Sequence, residues 1–174
     1  VLVTRGIHDR FVAELVRRIR RLNVGWGLDP DTFMGPLISE NFRTRYKKFG
    51  RAAVQKGHTA LVEAEAADVP GYRGNYVRPG VYAVDWRRGD PLLTDEPPGP
   101  LLLVYRMDSW DEAVVVHNQA ASRLCASVFT RPDNPALAEL RDQLRTGALN
   151  VNRGTIGTSL RLPAHMAALA NGAA

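Results

Sequence analysis

The apolar positions of this chain change period along its length, and each change predicts an element. Val1, Leu2 and Val3 form a continuous apolar run that predicts a strand over residues 1–4. Phe11, Val12, Leu15, Val16, Ile19 and Leu22 recur at threes and fours, which predicts an amphipathic helix over residues 9–22. Gly25, Gly27, Asp29-Pro30-Asp31 and Gly35-Pro36 then interrupt the pattern with turn chemistry, so 25–36 is expected to be a loop. Ser39 stands as the N-cap of a second helix, in which Phe42, Tyr46, Phe49 and Ala53 keep helical spacing. Gly57 suits the left-handed end of that helix. A short strand is predicted over 60–63. The Gly-, Pro- and Tyr-rich stretch 69–79 is expected to run over the surface before a strand over 80–84.

From Leu101 the pattern alternates regularly. Strand 101–105, helix 110–118, strand 125–130, helix 135–144 and strand 148–151 follow one another. Ser109-Trp110-Asp111-Glu112 has the S-x-x-E form of a capping box, and Asn134 is placed to cap the next helix. Strands alternating with helices imply βαβ units. The expected fold class is therefore α/β, a parallel sheet with helices on both faces and right-handed crossovers. The pattern shows no internal repeat, low-complexity tract or second domain.

Composition adds bounds. A chain of 174 residues suits one domain, and 45% hydrophobic with 24% charged residues is ordinary for a soluble globular protein. No run of about 18 apolar residues occurs, so no membrane partner is expected. The chain opens on Val1 without a methionine or signal-peptide pattern, already inside a strand-like run, which suggests a piece of something longer. A single cysteine excludes an intrachain disulfide and fits a reducing cytoplasm. The net charge of +5 raises nucleic acid as a partner. Arg17-Arg18 and Arg20-Arg21, however, fall on the wet face of the first predicted helix, and no zinc-finger, RNA-recognition or basic-zipper pattern accompanies them, so no nucleic-acid partner is expected.

Candidate chemistry is sparse. Cys125 lies in Leu124-Cys125-Ala126-Ser127-Val128-Phe129, a strand-like run where a thiol behaves as a small hydrophobe, and it is read as core and not as a nucleophile. His8, His58, His117 and His165 are far apart and show no metal-ligand spacing. No G-x-G-x-x-G or P-loop is present. Glu96, in Asp95-Glu96-Pro97-Pro98-Gly99-Pro100, is either an ordinary loop carboxylate or one presented to hydroxyls of a ligand just before a buried strand. Asn152 follows the last predicted strand and opens a loop, either as a turn-former or as a contact to substrate. Arg153 and Arg161 flank that loop. Each is either a surface arginine or a fork for an anionic substrate.

Taken in order, these segments resemble the catalytic domain of the aldehyde dehydrogenases. The likeness runs through Asp31-Thr32-Phe33-Met34-Gly35-Pro36-Leu37-Ile38-Ser39, Tyr76-Val77-Arg78-Pro79-Gly80-Val81, the 95–100 turn, Asp111-Glu112-Ala113 with Asn118, Ala126-Ser127-Val128-Phe129-Thr130-Arg131 and Gly147-Ala148-Leu149-Asn150-Val151-Asn152. It covers 1–163 and leaves 164–174 as an atypical alanine-rich tail. Ile38-Ser39-Glu40, 150–157 and Leu160-Arg161-Leu162-Pro163 look most like the succinylglutamate semialdehyde dehydrogenase branch.

The resemblance implies an NAD- or NADP-dependent oxidoreductase that converts an aldehyde, a semialdehyde among the candidates, to a carboxylic acid. It also implies a homo-oligomer with a small-molecule substrate. Glu96 would hold the nicotinamide ribose, and Pro98 replaces the phenylalanine that packs near the nicotinamide. Asn152, Arg153, Thr155, Ile156 and Arg161 would face substrate. The nucleophilic cysteine, the general-base glutamate and most of the cofactor fold would precede Val1, so no catalytic residue is expected here and the chain alone is expected to be inactive. Ser122-Arg123 where Tyr-Gly is common, the altered segment after Pro163 and a missing C-terminal strand depart from the pattern. They leave a rival expectation, a catalytically inactive domain used for binding or assembly.

Overall fold

The computed structural model describes residues 1–156 apart from Arg88, Ala121 and Ser122, so Arg161, His165 and the 164–174 tail lie outside the described residues. The chain divides into two compact units, Val1–Trp86 with Pro97–Met107, and Arg87–Glu96 with Asp108–Ala174.

The first unit is built on four strands and two helices. In chain order they are β1 (Leu2–Thr4), α1 (Arg5–Ile19), α2 (Glu40–Gln55), β2 (Thr59–Val62), β3 (Gly80–Val84) and β4 (Leu101–Met107). The sheet order is β1-β4-β3-β2. β4 runs parallel to β1, with Leu2 opposite Tyr105, and parallel to β3, with Gly80 opposite Leu101. β2 closes the edge antiparallel to β3, with a register shift between Ala60 and Val62. Val3, Val81 and Val104 form the buried centre, and Val12, Leu15 and Ile19 of α1 pack on it. The helical spacing read along α1 is therefore the face that covers the sheet. Its outer arginines behave as solvated charge, with Arg17 and Arg18 both held by Glu14 at 2.6 Å.

Two boundaries and one surface expectation need correction. α1 starts at Arg5 because it leaves β1 with no intervening loop. It ends at Ile19, where Arg21 and Leu22 bond three residues back and tighten the last turn. Stretch 69–79 does not stay on the surface, since Tyr76 and Val77 are buried. Backbone pairing draws them in: Leu37 N–H donates to Asn75 O at 2.9 Å, and Arg78 N–H donates to Glu65 O at 2.9 Å. α2 follows the sequence closely, with Ser39 Oγ accepting from Phe42 N–H and Gly57 at φ +87° just past its end.

The second unit contains α3 (Pro91–Thr94), α4 (Trp110–Gln119), β5 (Cys125–Val128), α5 (Ala136–Gln143) and β6 (Ala148–Val151). β5 and β6 pair in parallel, Cys125 opposite Ala148, and Val114, Val128 and Leu140 form the unit's buried centre. β5 does not continue the first sheet. The alternation of strands and helices after Leu101 feeds a separate two-stranded ladder, β5-β6. Ser109 Oγ caps α4 at Glu112 N–H, and Glu112 reaches back to Asp108 N–H at 2.7 Å, one residue earlier than in the usual box. Asn134 Oδ1 accepts from Ala136 N–H at 3.0 Å and caps α5. No helix among the described residues is long and apolar enough to cross a membrane.

Candidate active site

The segment 95–100 passes from the second compact unit to the first between Glu96 and Pro97. α3 ends at Thr94, and Asp95 and Glu96 are exposed beyond it. Gly99 N–H donates to Pro97 O at 2.9 Å and Leu101 N–H to Gly99 O at 2.8 Å, a tight reversal that delivers the chain into β4. Pro97, Pro98, Gly99 and Pro100 are half-buried. The turn abuts Tyr46 of α2, which is fully buried. A Cβ at Gly99 would sit 2.7 Å from the Tyr46 ring, so only glycine lets the turn come this close. Tyr46 Oη lies 2.7 Å from Arg78 O and 3.2 Å from Pro100 O, and donates toward both. Burial pushes the Tyr46 phenol far above its usual range, with the Gly80 amide pulling the other way.

The loop after β6 has a different anchor. Asn152 adopts φ +53°, the left-handed region that asparagine tolerates better than other side-chain-bearing residues. Its N–H donates to Val128 O, and its Oδ1 accepts from Thr130 N–H, each at 2.9 Å. The side-chain carbonyl is thus committed to the end of β5, which is what the turn-forming alternative expected of it. Arg153, Gly154, Thr155 and Ile156 follow as exposed residues, Ile156 being 99% accessible. Asn150, one side-chain alternation earlier, donates from Nδ2 to Gly154 O at 3.5 Å and to Cys125 Sγ at 3.3 Å. Sequence reasoning passed over Asn150. Its signal was an asparagine in a strand otherwise apolar.

Cys125 lies on β5 and is half-buried, its thiol facing Asn150 and its neighbour's carbonyl. That placement suits a strand residue. Among the described residues, no group of three histidine, cysteine, aspartate or glutamate side chains could hold a metal ion. His117 on α4 is mostly buried, and burial lowers its pKa, with Arg123 adding to the effect. A small depression in the first unit is lined by His8, His58, Asp85 and Arg106. It lies at the C-terminal ends of β3 and β4. The 95–100 turn enters β4 at its N-terminal end, about 20 Å away along seven residues of strand.

Pro98 lies on the 97–100 turn of the first unit, whereas Glu96 precedes it in the second unit, to which Asn152, Arg153, Thr155 and Ile156 on the rooted loop also belong. Glu96 is an exposed carboxylate and can accept hydrogen bonds.

Comparison with known proteins gives a consistent answer. The model of the aldehyde dehydrogenase family matches residues 1–164. The mitochondrial succinate-semialdehyde dehydrogenase of Mus musculus is 33% identical over 90% of this chain and 29% of its own length. A betaine aldehyde dehydrogenase of Mesorhizobium japonicum is 32% identical over 87% of this chain and 31% of its own length. A solved aldehyde dehydrogenase from Bacillus cereus, in complex with NAD+, superposes with a TM-score of 0.78 at 25% identity, covering 87% of this chain and 30% of its own. The chain thus spans about a third of the length of the curated relatives it matches. With nearly its whole length matched by the family model and by relatives of this identity, the chain belongs to the aldehyde dehydrogenase family.

Proposed function

We propose that this chain forms one wall of the active site of an NAD- or NADP-dependent dehydrogenase that oxidises an aldehyde to a carboxylic acid. The observation that carries this reading is Glu96, an exposed carboxylate shortly before β4 in sequence, in a chain of this family. When bound, the nicotinamide supplies the acceptor for the hydride. Glu96 would accept hydrogen bonds from the adjoining ribose and hold it in register, and Pro98 would present a flat apolar surface beside it. The attacking thiolate and the general base would come from polypeptide outside these 174 residues, since Cys125 is read as a strand residue. This chain's part is positioning, which governs rate because small displacements of reacting atoms cost orders of magnitude.

A semialdehyde is the substrate class to test first. Several relatives are named for semialdehydes, those of α-ketoglutarate, succinate and malonate. Arg153 stands exposed on the loop rooted at Asn152, and Arg161 lies beyond the described residues; either would grip the far carboxylate of such a substrate in a two-bond fork. The test is Glu96→Gln in the full-length protein. Turnover is expected to fall while the melting temperature stays within about a degree, as befits an exposed side chain. Unchanged turnover with a lower melting temperature would overturn the reading.

Pro98 favours a second reading, a catalytically inactive domain kept for binding or assembly, because it stands where the resemblance implies a phenylalanine against the nicotinamide. In that case wild-type full-length protein would show no saturable binding of NAD or NADP.

A further inference from the structure

We propose that the outer face of α2 docks an acidic polypeptide segment of a partner protein. The charge of the chain is unevenly spread. Residues 40–56 hold six cations, Arg43, Arg45, Lys47, Lys48, Arg51 and Lys56, against the single anion Glu40, while the rest of the chain holds seventeen of each sign. The whole net charge of +5 therefore sits on α2 and the residue that follows it. Tyr46, Gly50 and Ala53 are the buried positions of this helix, which turns the row Thr44, Lys48, Arg51 and Gln55 outward, with Arg45 beside it. All five are exposed.

The folded chain gains nothing from these cations. On α1, Glu14 holds both Arg17 and Arg18. On α2, Glu40 takes Arg43 at 3.1 Å, and among the described residues no acidic side chain pairs with Lys47, Lys48 or Arg51. Arg45 lies over the Phe42 ring, 5.5 Å from its centroid. Arg43 with Lys47, Lys47 with Arg51, Arg45 with Lys48 and Lys48 with Arg51 are like-charge neighbours one turn apart, an arrangement that destabilises a helix. The last turn, where the helix dipole favours cations, contains none. An anionic partner reverses that repulsion. Arg45 and Arg51 present planar forks that match carboxylates, and Lys48 lies between them. The three span about 9 Å of helix axis, a length that extended polypeptide covers in about three residues. The outward row has no aromatic side chain on which a nucleic-acid base could stack, and no apolar side chain to enter a lipid interface. A run of aspartate and glutamate fits it best.

The test titrates the full-length protein with polyglutamate at physiological salt, which screens the contact without abolishing it. Saturable binding is expected. Lys48→Glu with Arg51→Glu should weaken it by about tenfold or more, since both variants then repel the probe. Arg20→Glu with Arg21→Glu makes the same change in net charge on exposed arginines just past α1, and should alter binding by less than about twofold. Equal losses in the two double variants would show that only net charge matters and would overturn the proposal. So would the absence of polyglutamate binding, or tighter binding of single-stranded RNA or of phosphatidylserine vesicles. Should the charge-reversed protein fold poorly, Lys48→Gln with Arg51→Gln takes its place. That pair removes like-charge neighbours, so it is expected to melt no lower than the wild type and still to bind polyglutamate about threefold or more weakly. Wild-type affinity in that variant would also overturn the proposal.

Discussion

Two helical glycines should respond in opposite directions to alanine. Gly50 lies inside α2 and is buried, and a Cβ built there would collide with Tyr82 Oη and come 2.7 Å from Ala64 Cβ. Tyr82 Oη is the acceptor for Ala64 N–H at 2.9 Å, so the new methyl would intrude between two groups that need each other. Alanine in a helix interior gains about 1 kcal/mol over glycine. Overpacking a close contact of this kind costs about 1–3 kcal/mol. Leaving the buried Ala64 amide without its acceptor costs about 1–3 kcal/mol more. The balance for Gly50→Ala is a loss of about 1–5 kcal/mol, about 3 at the midpoint, or about 6–12 °C in melting temperature at that midpoint for a chain of this size. Gly6, in the first turn of α1, has no atom within 4 Å of the corresponding position, so Gly6→Ala should gain up to about 1 kcal/mol. Thermal unfolding followed by circular dichroism reads both. A Gly50→Ala protein as stable as the wild type would refute the close packing of α2 on Tyr82 and Ala64.

Three further outcomes are expected. His117 should make the melting temperature fall as the pH drops below 6.5. The buried His117 has a folded pKa depressed below its unfolded value, so the unfolded chain takes up its proton first; His117→Asn should flatten that slope, and an unchanged slope would assign it to other groups. The 174-residue chain assayed alone with an aldehyde and NAD should show no turnover, and activity abolished by Cys125→Ser would make that thiol the nucleophile after all. The chain should sediment as dimers or larger species, because β1 and β2 are edge strands and Leu124, Phe129 and Ile156 are exposed; a monomer at high concentration would show those edges to be tolerated in water.

Much of the fold was legible wherever periodicity and capping agreed. Strands 80–84 and 148–151 fall where the apolar runs put them, and Ser39, Ser109 and Asn134 cap the helices they were read to start. α3 was not legible, because four residues carry too little periodicity to signal a helix. The change of ladder at β5 was not legible either, since apolar period marks a strand but not the strand it pairs with. Tyr76 and Val77 looked like surface loop because their burial comes with backbone pairing to residues nine and eleven positions away. Tyr46 could not be told in sequence from its neighbours on α2. Its spacing marked it as one more residue of a helix face, and only the folded chain brings its hydroxyl to Pro100.

The left-handed root at Asn152 separates what the following loop carries from what the fold requires. Its two bonds to the end of β5 set the direction in which the chain leaves β6, whatever comes next. Arg153 and Ile156, exposed just beyond it, belong to neither buried centre. Side chains at those two positions are therefore exchangeable at little cost to stability. Substitution there changes the charge and size of the exposed loop while the strands beneath remain as they are. Replacing Asn152 by a β-branched residue would forfeit that freedom, because the take-off angle itself would be lost.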